Sequence, residues 1–183
     1  RAKLDDEARR IAEGDDGQFG GTIPAEELTK ANYLDKGGFG EVWEMTMSGT
    51  PACGKKVNLS GVRSEAARKQ LHAQALAEAK MMGKLSHPHV VQLFGCCIDA
   101  ESTLWIVMEF MENGALDQYA ERRAREGRPL APVERLEIAL GAACGLAFLH
   151  AKGVLHRDIK AANTLIDGFG RAKLADFGLS KAK

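Results

Sequence analysis

The chain has 183 residues, enough to bury a substantial core in one domain or in two small ones. Its 25 basic and 25 acidic side chains balance, so no polybasic surface points to nucleic acid or to a membrane surface. The sequence contains neither an apolar run of membrane-spanning length nor a secretory leader, and we expect no membrane span in this segment. The four cysteines lack metal or redox spacing and two are adjacent, which favours a reduced, intracellular chain.

The first 22 residues are predicted to form an extension that precedes the folded part. Residues 1–13 are highly charged and are compatible with a surface helix. Residues 14–21 combine glycine with acidic side chains, a composition typical of linkers.

Residues 34–42 form a glycine-rich run. Residues without a Cβ let backbone N–H groups approach phosphate oxygens closely, so this run is a candidate phosphate-binding loop. Taken alone, such a run is more often a flexible turn. It is not a Rossmann fingerprint, because residues 41–45 alternate like a strand and show no helical period.

A predicted strand carries a basic side chain, Lys55, and the predicted helix that follows it carries an acidic one, Glu78. Residues 64–85 have a strong helix composition without proline, and Glu78 lies in the middle of their apolar stripe. A carboxylate on a buried face costs several kcal/mol unless a cation meets it, so Glu78 either reaches water at the edge of the stripe or has a partner. Lys55 is favoured over Lys56 as that partner, because strand alternation places it on one face with Cys53 and Val57.

Two strands and two helices are predicted next. Residues 90–95 and 103–108 are apolar, β-branched runs typical of strands. A helix over residues 115–126 ends at Gly127, and a second helix over residues 132–152 ends at Gly153. The second helix is expected to pack beneath the C-terminal motifs through an apolar stripe formed by Leu136, Leu140, Ala143 and Ala147.

Two short blocks near the C-terminus supply the groups that metal-assisted phosphoryl transfer requires. Asp158 can accept a proton from an attacking hydroxyl, and Lys160 can neutralise charge on the transferred group. Asn163 and Asp176 offer oxygen ligands to a hard cation such as Mg²⁺. Residues 164–175 are predicted to form a β-hairpin, which would fold the two blocks back beside each other.

Taken in order, these motifs resemble those of eukaryotic-type protein kinases, above all in His156–Asn163 and Asp176–Gly178. The resemblance implies an α+β fold with a five-stranded antiparallel small lobe and one regulatory helix. The first helices and the catalytic hairpin of a helical large lobe, here incomplete, would follow. The implied division is an extension over residues 1–22, the small lobe with its hinge over 23–111, and the start of the large lobe over 112–183.

The resemblance also implies ATP and Mg²⁺ as cofactors and a protein as the substrate. Lys55 would hold the α- and β-phosphates and would itself be held by Glu78, while Asp158 would be the catalytic base. Adenine would bond to main-chain groups of Glu109 and Met111. The implied ATP-binding residues are Leu34, Gly37, Gly38, Phe39, Gly40, Val42, Cys53, Lys55, Met108, Glu109, Met111 and Leu165. The implied catalytic residues are Asp158, Lys160, Asn163, Lys55 and Glu78, and the implied metal ligands are Asn163 and Asp176.

Two features of the sequence bear on substrate and turnover. Lys160, two residues after Asp158, is typical of serine/threonine kinases and of the tyrosine-kinase-like group, so a Ser or Thr acceptor is favoured and Tyr is the alternative. Asp35 occupies the place of the first glycine of the family's loop and brings negative charge towards the nucleotide. A pseudokinase-like scaffold without turnover is therefore the alternative function.

The chain stops five residues after Gly178, where the family continues through an activation segment and several helices. We therefore expect a kinase fragment that lacks transferase activity by itself. We also expect poor solubility, because the apolar faces of residues 132–152 and of the last hairpin would lack their partners.

Overall fold

The computed structural model describes the chain from Ile23 to Ala182, except residues 38–39, 58–63, 68–69, 71–72, 74–78, 80–81, 101–102 and 177–180. These described residues divide into two compact units. The first unit contains the residues up to Lys84 together with Gln92–Phe110, and the second contains Leu85–Val91 and the residues from Met111 onward. The extension predicted over residues 1–22 lies outside the described residues.

A five-stranded antiparallel sheet forms the first unit, as predicted. In chain order its strands are β1 (Leu28–Gly37), β2 (Gly40–Met47), β3 (Thr50–Val57), β4 (Leu93–Ile98) and β5 (Leu104–Glu109). They lie in the order β1-β2-β3-β5-β4. Ser48 and Gly49, both with positive φ, make the tight turn between β2 and β3.

One apolar cluster of the first unit lies on one face of this sheet. Met45 and Trp105 are 1% and 2% exposed and pack with Ile23, whose amide donates to the carbonyl oxygen of Cys96 at 2.8 Å. Gly54 leaves the space that the end of the Met45 side chain fills, since a Cβ at residue 54 would clash with that side chain. The segment before β1 is thus part of the sheet's core.

The helix predicted over residues 64–85 is seen in part. Residues 65–67, 70, 73, 79, 82 and 83 are helical. Ala79 and Met82 are buried, which agrees with an apolar stripe on one side of a helix. Glu78 lies outside the described residues.

The strand predicted over residues 90–95 was placed too early, since β4 begins only at Leu93. Val90 instead makes an isolated parallel bridge to Leu174, and the amide of Val91 donates to the carbonyl oxygen of Leu174 at 3.0 Å. The apolar character of these two positions thus reflects their burial in the second unit and not a strand of the first. Composition alone could not separate that segment from the strand that follows it.

Two helices and short strands form the second unit. The helices are α1 (Leu116–Arg125) and α2 (Pro132–Ala151), and both predictions are confirmed to within one residue at each end. The short strands are β6 (Gly114–Ala115), β7 (Val154–Leu155), β8 (Thr164–Ile166), β9 (Ala172–Leu174) and β10 (Lys181–Ala182). β6, β8 and β9 form one sheet, which confirms the predicted hairpin, and β7 pairs with β10. No helix among the described residues has both the length and the apolar character needed to cross a membrane.

The packing face predicted for α2 was wrong. Leu136 and Leu140 are 74% and 65% exposed, and the buried residues are Ile138, Gly141, Gly145 and Leu149. The two glycines explain the difference, because a Cβ at Gly145 would clash with the carbonyl oxygen of His89. The backbone around His89 approaches α2 closely on the side of its glycines, and this side is therefore the one that packs. The spacing of apolar residues in the sequence does not reveal such a contact.

Candidate active site

The carboxylate of Asp158 is held between two side chains of the loop that follows β7. Nζ of Lys160 donates to Oδ2 of Asp158 at 2.7 Å, and Nδ2 of Asn163 donates to the same oxygen at 2.8 Å. The hydrogen bond from Lys160 is the main cause that lowers the pKa of Asp158. The same bond raises the pKa of Lys160, and the negative charge of Asp176 adds to that rise. The loop therefore holds an ionised carboxylate beside an ammonium group.

His156 ties this loop to the residues that precede Asp176. Its side chain is buried, its Nε2 lies 2.9 Å from the carbonyl oxygen of Ala175, and its Nδ1 accepts from the amide of Asp158 at 3.4 Å. The amide of Ala175 also donates to the carbonyl oxygen of Asn163 at 2.9 Å. The segment from His156 to Asn163 thus lies beside Ala175, the residue before Asp176, at the open end of the β8–β9 hairpin.

Asn163 and Asp176, the predicted metal ligands, lie at the two ends of that hairpin. Asn163 directs its amide nitrogen at the main chain and side chain of Asp158. Among the described residues, no hydrogen bond occupies its side-chain oxygen, which is the atom that would face a cation. Asp176 adopts a positive φ of 62°, an uncommon conformation for a residue with a side chain.

The first unit carries most of the predicted ATP-binding residues. In the sheet register, Val42 and Ile106 flank Lys55, while Cys53 lies opposite Met108. Burial raises the pKa of the Cys53 thiol to about 11, so it is a neutral, apolar group here.

Lys56, the rival of Lys55, is engaged elsewhere. Its Nζ lies 4.0 Å from Oε2 of Glu41 and 5.9 Å from the centre of the Trp105 ring. Leu34, at an irregularity of β1, is 45% exposed, and Asp35 pairs with Val42 across the hairpin. Lys55 and Lys56 therefore lie on opposite faces of the sheet, and the choice of Lys55 for the phosphates stays a prediction.

Three more of the predicted ATP-binding residues lie at the end of β5, just after it, and in the first strand of the β8–β9 hairpin. The amide of Glu109 donates to the carbonyl oxygen of Gln92 at 3.0 Å. Met111 is buried, and its carbonyl oxygen accepts from the amide of Gly114 at 3.0 Å. Leu165 is half-buried in β8 and pairs with Ala115 of β6.

Three predicted site residues, Glu78, Gly38 and Phe39, lie outside the described residues, as does Phe177 of the Asp-Phe-Gly block. The Lys55–Glu78 ion pair therefore stays a prediction. Gly37 and Gly40 are described, and they pair with each other at the ends of β1 and β2.

Sequence reasoning missed a set of contacts at the tip of the β8–β9 hairpin. Oε2 of Glu112 accepts from the amide of Gly168 at 2.6 Å, and Nδ2 of Asn113 donates to the carbonyl oxygen of Asp167 at 2.7 Å. The carboxylate of Asp167 accepts from the side chain of Arg171 at 2.7 Å and holds the turn. Glu112 and Gly168 are 56 residues apart, so no local pattern reports their contact.

Comparison with known proteins identifies the class. A family model described as protein tyrosine and serine/threonine kinase matches residues 28–183, and the chain belongs to that family. This confirms the predicted family and the kinase-type α+β fold.

Plant kinases are among the proteins to which the chain is similar. Receptor-like cytoplasmic kinase 176 of Oryza sativa subsp. japonica is 42% identical over 158 residues, which cover 82% of this chain and 39% of that protein. Probable serine/threonine-protein kinase PBL3 of Arabidopsis thaliana is 42% identical over 159 residues, with 82% and 36% covered. Chitin elicitor receptor kinase 1 of Arabidopsis thaliana is 41% identical over 166 residues, with 85% and 25% covered. The chain thus spans about two-fifths or less of the length of these relatives.

Proposed function

We propose that this chain supplies the ATP- and Mg²⁺-binding part of a protein kinase that phosphorylates Ser or Thr hydroxyls of protein substrates. The observation that carries the proposal is the arrangement around Asp158. Its carboxylate is held by Lys160 and Asn163, and the backbone of Asn163 is bonded to Ala175, next to Asp176. Relatives named as serine/threonine kinases and the lysine at position 160 support the Ser/Thr acceptor.

Asp158 is the catalytic base in this proposal. Its carboxylate is ionised at neutral pH, as aspartate ordinarily is, so it can accept a proton from the acceptor hydroxyl. The hydroxyl oxygen forms a bond to the γ-phosphorus of ATP while the bond from that phosphorus to the bridging oxygen of ADP breaks. The hydroxyl proton passes to Asp158, and Lys160 offsets negative charge on the transferred group.

The donor set at Asn163 and Asp176 fits Mg²⁺. Among the described residues, no group of three or more His, Cys, Asp and Glu side chains could hold a metal ion by itself. One amide oxygen and one carboxylate are what Mg²⁺ needs when phosphate oxygens and water complete its shell. When bound, the ion supplies positive charge to the phosphate oxygens.

Nucleotide binding is proposed for the residues that carry the family's motifs. Lys55 would hold the α- and β-phosphates with the glycine-rich run, and Glu78 would orient Lys55. The apolar contacts to adenine would come from Val42, Cys53 and Leu165. We further propose an intracellular setting, which the name of the rice relative and the four free cysteines support.

The test is γ-phosphoryl transfer to a generic protein substrate by the full-length protein, compared between wild type and Asp158→Ala. We expect kcat to fall by about 10²–10⁴-fold, the usual contribution of a general base. Asp117→Ala is the matched control, because Asp117 is an exposed carboxylate in the first turn of α1.

Unchanged turnover in Asp158→Ala would contradict the role of Asp158. Mg²⁺-dependent ATP binding without transfer by the wild type would instead support the scaffold function. Asp35→Gly would then be the first substitution to test for restored transfer, because Asp35 stands at the place of the first glycine of the family's loop.

A further inference from the structure

The segment that follows the first unit is fastened to the tip of the β8–β9 hairpin. Glu112 accepts from the amide of Gly168 at 2.6 Å, and Asn113 contributes two contacts. Its side chain donates to the carbonyl oxygen of Asp167 at 2.7 Å, and its amide donates to that of Ile166 at 3.1 Å. We call these hydrogen bonds the hairpin clamp.

The clamp is continuous with the pairing of β6 and β8. Gly114 pairs with Ile166, and Ala115 pairs with Leu165. Arg122 of α1 donates to the side-chain oxygen of Asn113 at 3.0 Å, which orients the Asn113 amide. Residues 112–115 are thus bonded at successive positions to residues 165–168.

Glycine at position 168 allows the close approach. A Cβ there would lie 3.2 Å from the carboxyl carbon of Glu112, tighter than ordinary contacts. The carboxylate can therefore reach the backbone amide directly. A charge-assisted hydrogen bond of this kind is stronger than one between neutral groups.

The clamp joins two groups that would contact adenine in a kinase, the main chain of Met111, which the family resemblance implies, and the side chain of Leu165, which the proposed function names. Met111 immediately precedes it in the chain, and Leu165 lies in β8 within the paired region. Clamping residues 112–113 to residues 166–168 fixes the position of Leu165 relative to the main chain of Met111.

We propose that Glu112 and Asn113 are positioning residues for ATP, which set the distance between the adenine-binding main chain at Met111 and the side chain of Leu165. The inference rests on the proposed function. Neither residue needs to touch the nucleotide, because each acts through the hairpin. Loss of the clamp weakens ATP binding and leaves the chemical step intact, since Asp158, Asn163 and Asp176 lie at the other end of the hairpin.

Because Glu112 is exposed, its effect on ATP binding can be distinguished from an effect on the stability of the fold. Glu112 and Gly168 are both exposed, so water can take the place of the carboxylate and no buried polar group is left without a partner. Glu112→Ala should therefore unfold at nearly the wild-type temperature while the Gly168 amide exchanges with deuterium about tenfold faster.

The experiment measures Kd for MgATP by titration, and KM and kcat by phosphoryl transfer, in the full-length protein. Glu112→Ala and Asn113→Ala should each raise Kd and KM for ATP about three- to tenfold, the loss of one hydrogen bond. The value of kcat and the KM for the protein substrate should stay within about twofold of wild type. Glu112→Gln keeps an acceptor oxygen for the Gly168 amide and should bind ATP nearly as wild type.

Glu121→Ala is the matched control, since it removes an exposed carboxylate that pairs with Arg125 within α1. Wild-type affinity for ATP in Glu112→Ala, with the protein otherwise active, would overturn the inference and leave the proposed function standing. Equal losses in Glu112→Gln and Glu112→Ala would also overturn it, because the charge rather than the hydrogen bond would then matter. If the wild type neither binds ATP nor transfers phosphate, the proposed function fails and the inference fails with it.

Discussion

The imidazole of His156 lies 1% exposed between the segment that carries Asp158 and the segment that ends at Asp176. Because the amide of Asp158 donates to Nδ1, the ring proton must lie on Nε2, which donates to the carbonyl oxygen of Ala175. A buried ring with both nitrogens occupied by main-chain groups cannot act as a base towards substrate. Its role in this arrangement is to join the segment of Asp158 to the segment of Ala175 and Asp176.

At the residue scale, we predict that His156→Phe lowers both stability and turnover. The ring keeps its apolar contacts but loses both hydrogen bonds, so the buried carbonyl oxygen of Ala175 loses a donor, at a cost of about 1–3 kcal/mol. The free energy of unfolding in urea and kcat for phosphoryl transfer measure the two effects. His150→Phe is the control, because His150 is exposed on α2. Wild-type stability in His156→Phe would contradict the joining role.

At the element scale, two glycines on the buried face of α2 allow a neighbouring segment to pack closely against the helix. A Cβ at Gly141 would lie 2.8 Å from Nδ1 of His89, and one at Gly145 would clash with the backbone of His89. Nδ1 of His89 in turn lies 2.8 Å from the carbonyl oxygen of Ala172 in β9. The glycines therefore let the segment around His89 lie between the helix and the hairpin.

We predict that Gly145→Ala destabilises the second unit although it removes a glycine from the middle of a helix. Alanine alone would stabilise a helix by about 0.5–1 kcal/mol. The clash with the His89 carbonyl cannot be relieved by rotating a side chain, and overpacking of this kind costs about 1–3 kcal/mol.

Thermal unfolding of the wild type and of Gly145→Ala measures this difference in stability. Ala143→Gly, on an exposed part of the same helix, is the matched control and should cost about 1 kcal/mol through helix propensity alone. A higher midpoint for Gly145→Ala than for wild type would contradict the packing described for α2.

The same contacts show how far sequence reasoning reaches at the scale of elements. The helices α1 and α2 and the β8–β9 hairpin were predicted because their signals are local, such as the glycines with positive φ at 127 and 153. The packing face of α2 and the start of β4 were wrong because both depend on how the segment around His89 and Val90 packs. The proximity of Asp158, Lys160 and Asn163 follows from the sequence because these residues lie within six positions of one another, while their chemical roles stay a prediction. The hairpin clamp could not, since its partners are 56 residues apart.

At the scale of the whole molecule, each unit has a core of its own. The first centres on Trp105 and Met45, and the second contains Tyr119, Ile138 and Ile166. Apolar side chains of the described residues are also exposed outside these two clusters, and three of them share one side of α2: Val133, Leu136 and Leu140 are 63%, 74% and 65% exposed.

We predict that this exposed face causes the 183-residue chain to associate with itself, since contiguous apolar surface is an aggregation liability. The double substitution Leu136→Glu and Leu140→Lys removes both leucines, keeps the net charge at zero and adds a favourable i,i+4 pair. Association measured by light scattering should fall, while the free energy of unfolding stays within about 0.5 kcal/mol of wild type. Ile138→Lys, on the buried face of the same helix, should instead unfold the second unit. Unchanged association in the double variant would show that another surface is responsible.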